Sequence, residues 1–170
     1  ALWALIHAIQ CAMSSIKTAL SSINMNASSF REVNRRVVEP DMCDALGHMN
    51  IQYYFETLSD GVIEIMALLE EPIEDIPERG TAFALHKEES QFLAEIFSGD
   101  EFYMATAIEG FGKKSMILQH RFFGAEDGRE LFRSRFITVN MDLKARTSIA
   151  FSEEFKSLAA HEFPAYQPEN

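Results

Sequence analysis

The sequence predicts an α+β domain in which one helix packs on a face of an antiparallel sheet. Three observations lead there. Ile51, Tyr54, Phe55, Leu58, Val62, Ile65 and Leu69 step by three and four, the period of one helix face. After a break at residues 70–79 the chain reads as strand-length segments; in one, Met116, Leu118, His120 and Phe122 alternate with Ile117, Gln119, Arg121 and Phe123. Turn signals separate these segments at Ser98-Gly99-Asp100, Gly110-Phe111-Gly112 and Glu126-Asp127-Gly128. One strand, one helix and then a meander bury the helix against one sheet face.

Taken in order, residues 1–29 read as an extension outside the main domain. Leu2, Ile6, Ile9, Met13, Ile16, Leu20 and Ile23 form a heptad-like seam, with Lys17 the sole charge in residues 1–24. Its apolar part is too short to span a bilayer and lacks the basic start of a secretory signal, so no integral membrane segment is expected. Residues 30–38 alternate loosely and predict a first strand that stops before Pro40. The long helix follows over residues 49–69, then a Pro- and acid-rich connection over 70–79. Residues 81–96, 101–108, 115–123 and 131–142 are strands, for a roughly five-stranded sheet. Residues 153–160 form a short closing helix, and 161–170 a loose tail. The main domain is thus residues 30–160.

The formal net charge of −11 argues against nucleic acid as a partner. Its distribution says more. Residues 41–112 hold sixteen acids against two bases, Arg79 and Lys87; residues 113–146 hold eight bases against four acids. That asymmetry is expected if the later strands face a polyanionic ligand, whereas solvated strand faces are the simpler reading for most of the eight. Cys11 and Cys43 suggest neither a disulfide framework nor a metal cluster, and fit a reducing, cytoplasmic setting. Cys43 lies beside Asp44, a neighbour that would raise its pKa, so it reads as packing or loop lining.

The chemistry concentrates where the loop becomes the helix. Asp44-Ala45-Leu46-Gly47-His48-Met49-Asn50 runs straight into the helical period, with Tyr53 and Tyr54 just inside it. First-turn amides of a helix are unpaired and partly positive, so they stabilise a carbonyl oxygen or oxyanion. A carboxylate nearby can act as base or nucleophile, or it can merely cap the helix. His48 can accept a proton, donate to a carbonyl, or bond the backbone; Asn50 can orient an acyl group or cap. Glu56 shares a helix face with Asp60 and Glu64, a solvent pattern, yet its closeness to the junction makes it a possible second acid.

These residues resemble the D-x-x-G-H-x-N…Y signature of hotdog-fold acyl-CoA thioesterases of the 4-hydroxybenzoyl-CoA thioesterase type. The similarity continues through Thr81-Ala82-Phe83, Ser98-Gly99-Asp100 and Lys113-Lys114-Ser115, covering roughly residues 30–158. It departs at Met42, where many relatives carry a second acid. The resemblance implies a hotdog fold, one long central helix wrapped by the sheet, in a homodimer or homotetramer that binds acyl-CoA between subunits. It implies that Asp44, Gly47, His48 and Asn50 serve catalysis, the thioester carbonyl pointing at helix-start amides near Gly47. Tyr53, Tyr54, Lys113, Lys114 and Ser115 would bind substrate, the lysines meeting the phosphates of coenzyme A. Neither metal nor cofactor is implied. A non-catalytic acyl-CoA or acyl-carrier-protein binding module is the alternative.

Three patterns carry less. His86 and Glu88 would share a strand face without Glu89, a poor metal set. Gly110-Phe111-Gly112-Lys113-Lys114-Ser115 lacks the spacing of a Walker loop. Apolar residues on the outer sheet face, Tyr103 and Phe123 among them, suggest an exposed interface.

Overall fold

The structure is a computed structural model that describes residues 29–168. The heptad-like seam of residues 2–23 lies outside them. Six antiparallel strands and one main helix make up the domain. The strands are β1 (Arg31–Val37), β2 (Thr81–Phe92), β3 (Glu101–Phe111), β4 (Ser115–Gly124), β5 (Glu130–Asp142) and β6 (Thr147–Ile149). They run β1-β3-β4-β5-β2 across the sheet, and β6 pairs with β5 at Asn140–Asp142, where β4 has already ended at Ser115. The expected sheet thus gains one short strand, and the expected strand at 81–96 ends at Phe92.

The helix α1 (Ile51–Leu68) has 18 residues, about 27 Å at the helical rise. The 13 residues of β5 extend about 43 Å, so α1 crosses the sheet without spanning it. It is shorter than the long central helix expected. Tyr54, Leu58, Ile65 and Leu69 point into the sheet and are at most 4% exposed. Their counterparts are Met104, Met116, Leu118, Phe122, Phe132 and Phe136 on the inner face of β3, β4 and β5. Gly61 allows the close approach: a Cβ there would collide with the Met104 side chain. After α1, one turn of helix α2 (Ile76–Arg79) leads into β2.

Helix α3 (Glu153–Glu162) starts on a Ser152 cap and packs Phe155 against Phe83, Phe111 and Phe151. Residues 163–166, expected in a loose tail, pack on the domain. Phe163 is buried, and Ala165 bridges Ile108 in the line of β1. Tyr166 stacks edge-on against Phe30. Phe123 is only 2% exposed, in ring contact with Phe30 and Tyr103, so the outer face expected to be bare is covered there by the chain itself.

Candidate active site

The loop after β1 folds on itself before the helix begins. Cys43 and Met49 form an antiparallel bridge that closes a tight turn. Within it the Asp44 amide donates to the His48 carbonyl (3.1 Å) and the Gly47 amide to the Asp44 carbonyl (3.0 Å). The Asp44 side chain also works locally: its Oδ1 accepts the Leu46 amide at 2.8 Å, an Asx turn. Gly47 sits at φ +87°, a left-handed conformation that L side chains adopt at a cost. A Cβ there would meet nothing within 4 Å. Backbone conformation is therefore reason enough for glycine at 47.

The helix starts four residues later than Gly47. Asn50 is its cap, accepting the Gln52 amide on Oδ1 (3.0 Å) and the Tyr53 amide on its carbonyl (3.0 Å). Neither Asp44 nor Gly47 belongs to the helix end, and the Gly47 amide is already engaged. The first-turn amide left over is that of Ile51. Two further bonds hold the junction against the sheet, from the Met49 amide to the Ile96 carbonyl (2.7 Å) and from the Asn50 amide to the Met42 carbonyl (2.9 Å).

Between this junction and the far end of β2 lies a cleft of about 450 Å³. Asp44, His48, Asn50, Ile51 and Tyr54 line one side; Phe92, Leu93, Ala94 and Glu95 line the other. His48 keeps its ring at the rim, with Nδ1 3.5 Å from the Met49 carbonyl. Tyr54 is 4% exposed, its ring held among Phe92, Phe122 and Phe132 at centroid distances of 5.0 to 6.0 Å. Its hydroxyl has no hydrogen-bond partner among the described residues. Burial pushes the phenol up to about 12, and the Glu95 carboxylate adds to the shift. It stays protonated at neutral pH.

Glu95, inside the strand that the sequence predicts over residues 81–96, lies beyond the end of β2 at Phe92 and lines the cleft. Its signal was an acid set between Ala94 and Ile96 in an apolar run. The other expected site residues lie elsewhere. Glu56 accepts a hydrogen bond from Arg36 at 2.9 Å, and the same guanidinium bonds Asp60, on a helix face away from the cleft. The Tyr53 hydroxyl donates to the Asp41 carbonyl at 3.4 Å. Lys113, Lys114 and Ser115 stand at the β3–β4 turn, at the opposite end of the sheet. Ser115 is in register with Val139 and, across β5, with Ala84, eight residues or about 26 Å along β2 from Phe92. Lys114 donates to the Ser148 carbonyl.

The basic strands are largely self-neutralised. Arg121 and Arg133 pair with Glu130 at 3.0 and 2.7 Å, and Arg135 holds Glu109 at 2.6 Å. Glu88 accepts from Ser90 and Ser134. No helix among the described residues is long and apolar enough to cross a membrane.

One helix laid across an antiparallel sheet, with an acid-bearing cleft at the helix start, is the arrangement of a hotdog-fold thioesterase. The chain belongs to the Thioesterase-like superfamily, whose family model matches residues 38–158. As a member of that family it is a thioester hydrolase. Among solved structures it is similar to a hypothetical protein from Staphylococcus aureus in complex with CoA, at 20% identity, TM-score 0.74, covering 82% of this chain and 89% of that one. A 1,4-dihydroxy-2-naphthoyl-CoA thioesterase from Synechocystis aligns at 16% identity, TM-score 0.66, over 75% and 93%. A gentisyl-coenzyme A thioesterase aligns at 20%, TM-score 0.63, over 75% and 98%. At these identities the likeness establishes the fold. No sequence among curated proteins matches the chain.

Proposed function

We propose that the protein hydrolyses an acyl-CoA thioester to the free acid and CoA, with Asp44 as base or nucleophile. One observation supports this reading: Asp44, one of whose carboxylate oxygens has no donor among the described residues, and Ile51, the first residue of α1, line the same cleft. Oδ1 is held by Leu46, which fixes the carboxylate and leaves Oδ2 for chemistry. The Ile51 amide, rather than one near Gly47, polarises the thioester carbonyl and stabilises the oxyanion. Asp44 either removes a proton from attacking water or attacks the carbonyl carbon itself, forming an anhydride that water then opens. The thiolate of CoA leaves in both routes, and water is the only other reactant, so the reaction needs no cofactor. His48 and Asn50 hold the cleft rim, and Tyr54 meets the acyl group.

An open sheet edge supports assembly as a homodimer. β2 has 12 residues and pairs on one side only among the described residues. Leu85 is 53% exposed in its middle, and an open edge of that length invites a strand. Two copies joined antiparallel through β2 would set Phe92 of one near Ala82 of the other. The β3–β4 turn of the partner subunit, with its Lys113 and Lys114, would then lie at the cleft end. That gives the lysines a route to the CoA phosphates that one chain alone denies them.

The test is release of free CoA across short, long and aromatic acyl-CoAs by the wild type and D44N. Trapping with hydroxylamine separates the routes, since only the nucleophile route leaves an acyl-enzyme to capture. A folded protein that binds acyl-CoA but releases no CoA would instead be a binding module.

A further inference from the structure

Lys113, Lys114, Lys144 and Arg146 are exposed and make no ion pair among the described residues. Every other lysine and arginine described has an acid within 4.0 Å. The four unpaired cations sit together, on two turns at one end of the sheet. Lys113 and Lys114 lie between β3 and β4, Lys144 and Arg146 between β5 and β6. The turns are tied to each other: the Lys114 ammonium donates to the Ser148 carbonyl, two residues or about 7 Å from Arg146. Asp142, the acid that opens the second turn, is engaged by backbone, its Oδ1 accepting the Lys144 and Ala145 amides at 2.9 and 2.8 Å. Glu74, Asp75 and Glu78 stand before the start of β2 and pair with none of the four. Arg146 holds φ +54°, a left-handed position where glycine or asparagine is the easier residue.

A chain of net charge −11 that pairs its other cations leaves these four open to an outside anion. Four cations on two adjoining turns suit clustered phosphates better than a lone carboxylate. Lys113 and Lys114 have that role in the β2-edge dimer, whereas Lys144 and Arg146 have none. Resting on the thioesterase reading, we propose that Lys144 and Arg146 bind the nucleotide phosphates of CoA, and that they serve the partner subunit's cleft rather than their own. The short strand β6 is what brings them there, folding the β5–β6 turn back beside Lys114. In the dimer joined through β2, three strand spacings, about 14 Å, separate β6 from the neighbouring β2 that ends at the cleft. The extended pantetheine arm crosses that gap. Within one chain the same turn lies a strand length from Asp44.

The double variant K144Q/R146N tests this, since asparagine tolerates the left-handed position and both sites are exposed. Calorimetric titration with CoA and with pantetheine reads the contact without any turnover. CoA affinity should fall about fivefold, the scale of two exposed charge contacts, and pantetheine affinity should move much less. K144Q/R146K, which keeps one charge, should recover part of the loss. In turnover of an acyl-CoA the loss should appear in KM, with kcat held. Co-expressing the D44N chain with the K144Q/R146N chain then assigns the subunits, because a mixed dimer joins an intact Asp44 to an intact turn only across the interface. Part of the turnover should regain the wild-type KM. A mixture that keeps only the raised KM would place the turn at its own cleft and overturn the shared site. Unchanged CoA affinity in K144Q/R146N would overturn the phosphate contact, as would equal losses for CoA and pantetheine. If CoA affinity falls as expected while no acyl-CoA is hydrolysed, the contact stands and the thioesterase reading fails instead.

Discussion

The acids that line the cleft and the acids on the helix face and the sheet differ in their partners. Glu109 and Glu130 each lie within 3.0 Å of an arginine, and Glu56 and Asp60 share Arg36. Asp44 and Glu95 have no cation beside them among the described residues. A paired carboxylate is held in place and neutralised, so it contributes to structure. An unpaired one beside an apolar wall keeps its charge available to a ligand. The same residue type thus serves two ends of the molecule, and the neighbours decide which.

The largest way to break that contrast is at Asp44. Asn keeps the size and can still accept the Leu46 amide, while the charge is lost. Turnover of D44N should fall about a hundredfold or more, the scale of losing a positioned base, at a nearly fixed melting temperature. Near-normal turnover in a folded D44N would remove Asp44 from the chemistry.

On the paired side, Glu130 is the counterpart. Its partner Arg121 is 4% exposed, so E130Q leaves a buried guanidinium short of its anion. A loss of about 3 kcal/mol is expected, at the low end for breaking a buried pair, with catalysis in the surviving folded fraction unchanged. Chemical denaturation read beside turnover separates the two effects. A smaller stability loss than at an exposed pair would place Arg121 in contact with enough other acceptors to stand alone.

A buried group without any charge partner behaves differently again. His120 bonds Thr106 at 2.9 Å through Nδ1, and its Nε2 is buried without a partner among the described residues. Burial, with Arg121 adding, pushes it down to about 3. Its folded pKa lies below the unfolded value of about 6.5. The unfolded state therefore binds the proton first, and stability present above pH 6.5 is lost as pH falls towards 3. The slope is at most about 1.4 kcal/mol per pH unit, and H120L should flatten it. Identical acid limbs for the two proteins would show that His120 is accessible to protons in the native state.

How much of this was legible beforehand follows from the range of each interaction. Helix, strands and turns are local patterns, and α1 lies within two residues of where the apolar period put it. The motif likewise brought Asp44, His48 and Asn50 to one junction. What the period could not show was which amide remains free: the Asx turn and the Asn50 cap use up the others, leaving Ile51. Nor could it show that Lys113 sits a strand length from Asp44, because register across β5 sets that distance. Ion pairing was hidden for the same reason. Counting charges along the sequence offers a polyanion site or solvated strand faces for the eight later bases, and only the fold shows Arg121, Arg133 and Arg135 paired with Glu130 and Glu109.

The lysines remaining from that set give a smaller prediction. Replacing Lys113 and Lys114 by Gln should raise KM for acyl-CoA severalfold and flatten its salt dependence, since exposed charges act through screened attraction. A pantetheine thioester, lacking the nucleotide phosphates, should be affected much less. An equal rise on both substrates would detach the lysines from CoA. A clean monomer by sizing with light scattering would leave them no route to the cleft of a second copy.

The smallest effect is expected at Glu56, and it sharpens the comparison most. Glu56 is an acid one turn into α1, yet it is held by Arg36 on an exposed helix face. Exposed pairs contribute about 0–1 kcal/mol, and Asp60 remains to hold the guanidinium, so E56Q should barely change stability. Turnover should stay within about twofold of wild type, because no transition-state contact is removed. D44N and the double variant D44N/E56Q should then be equally slow. If E56Q alone slows turnover tenfold or more at constant stability, the Arg36 pair must open during the reaction and the site must use two carboxylates. Proximity in sequence would then outrank pairing in the resting structure as a guide to function.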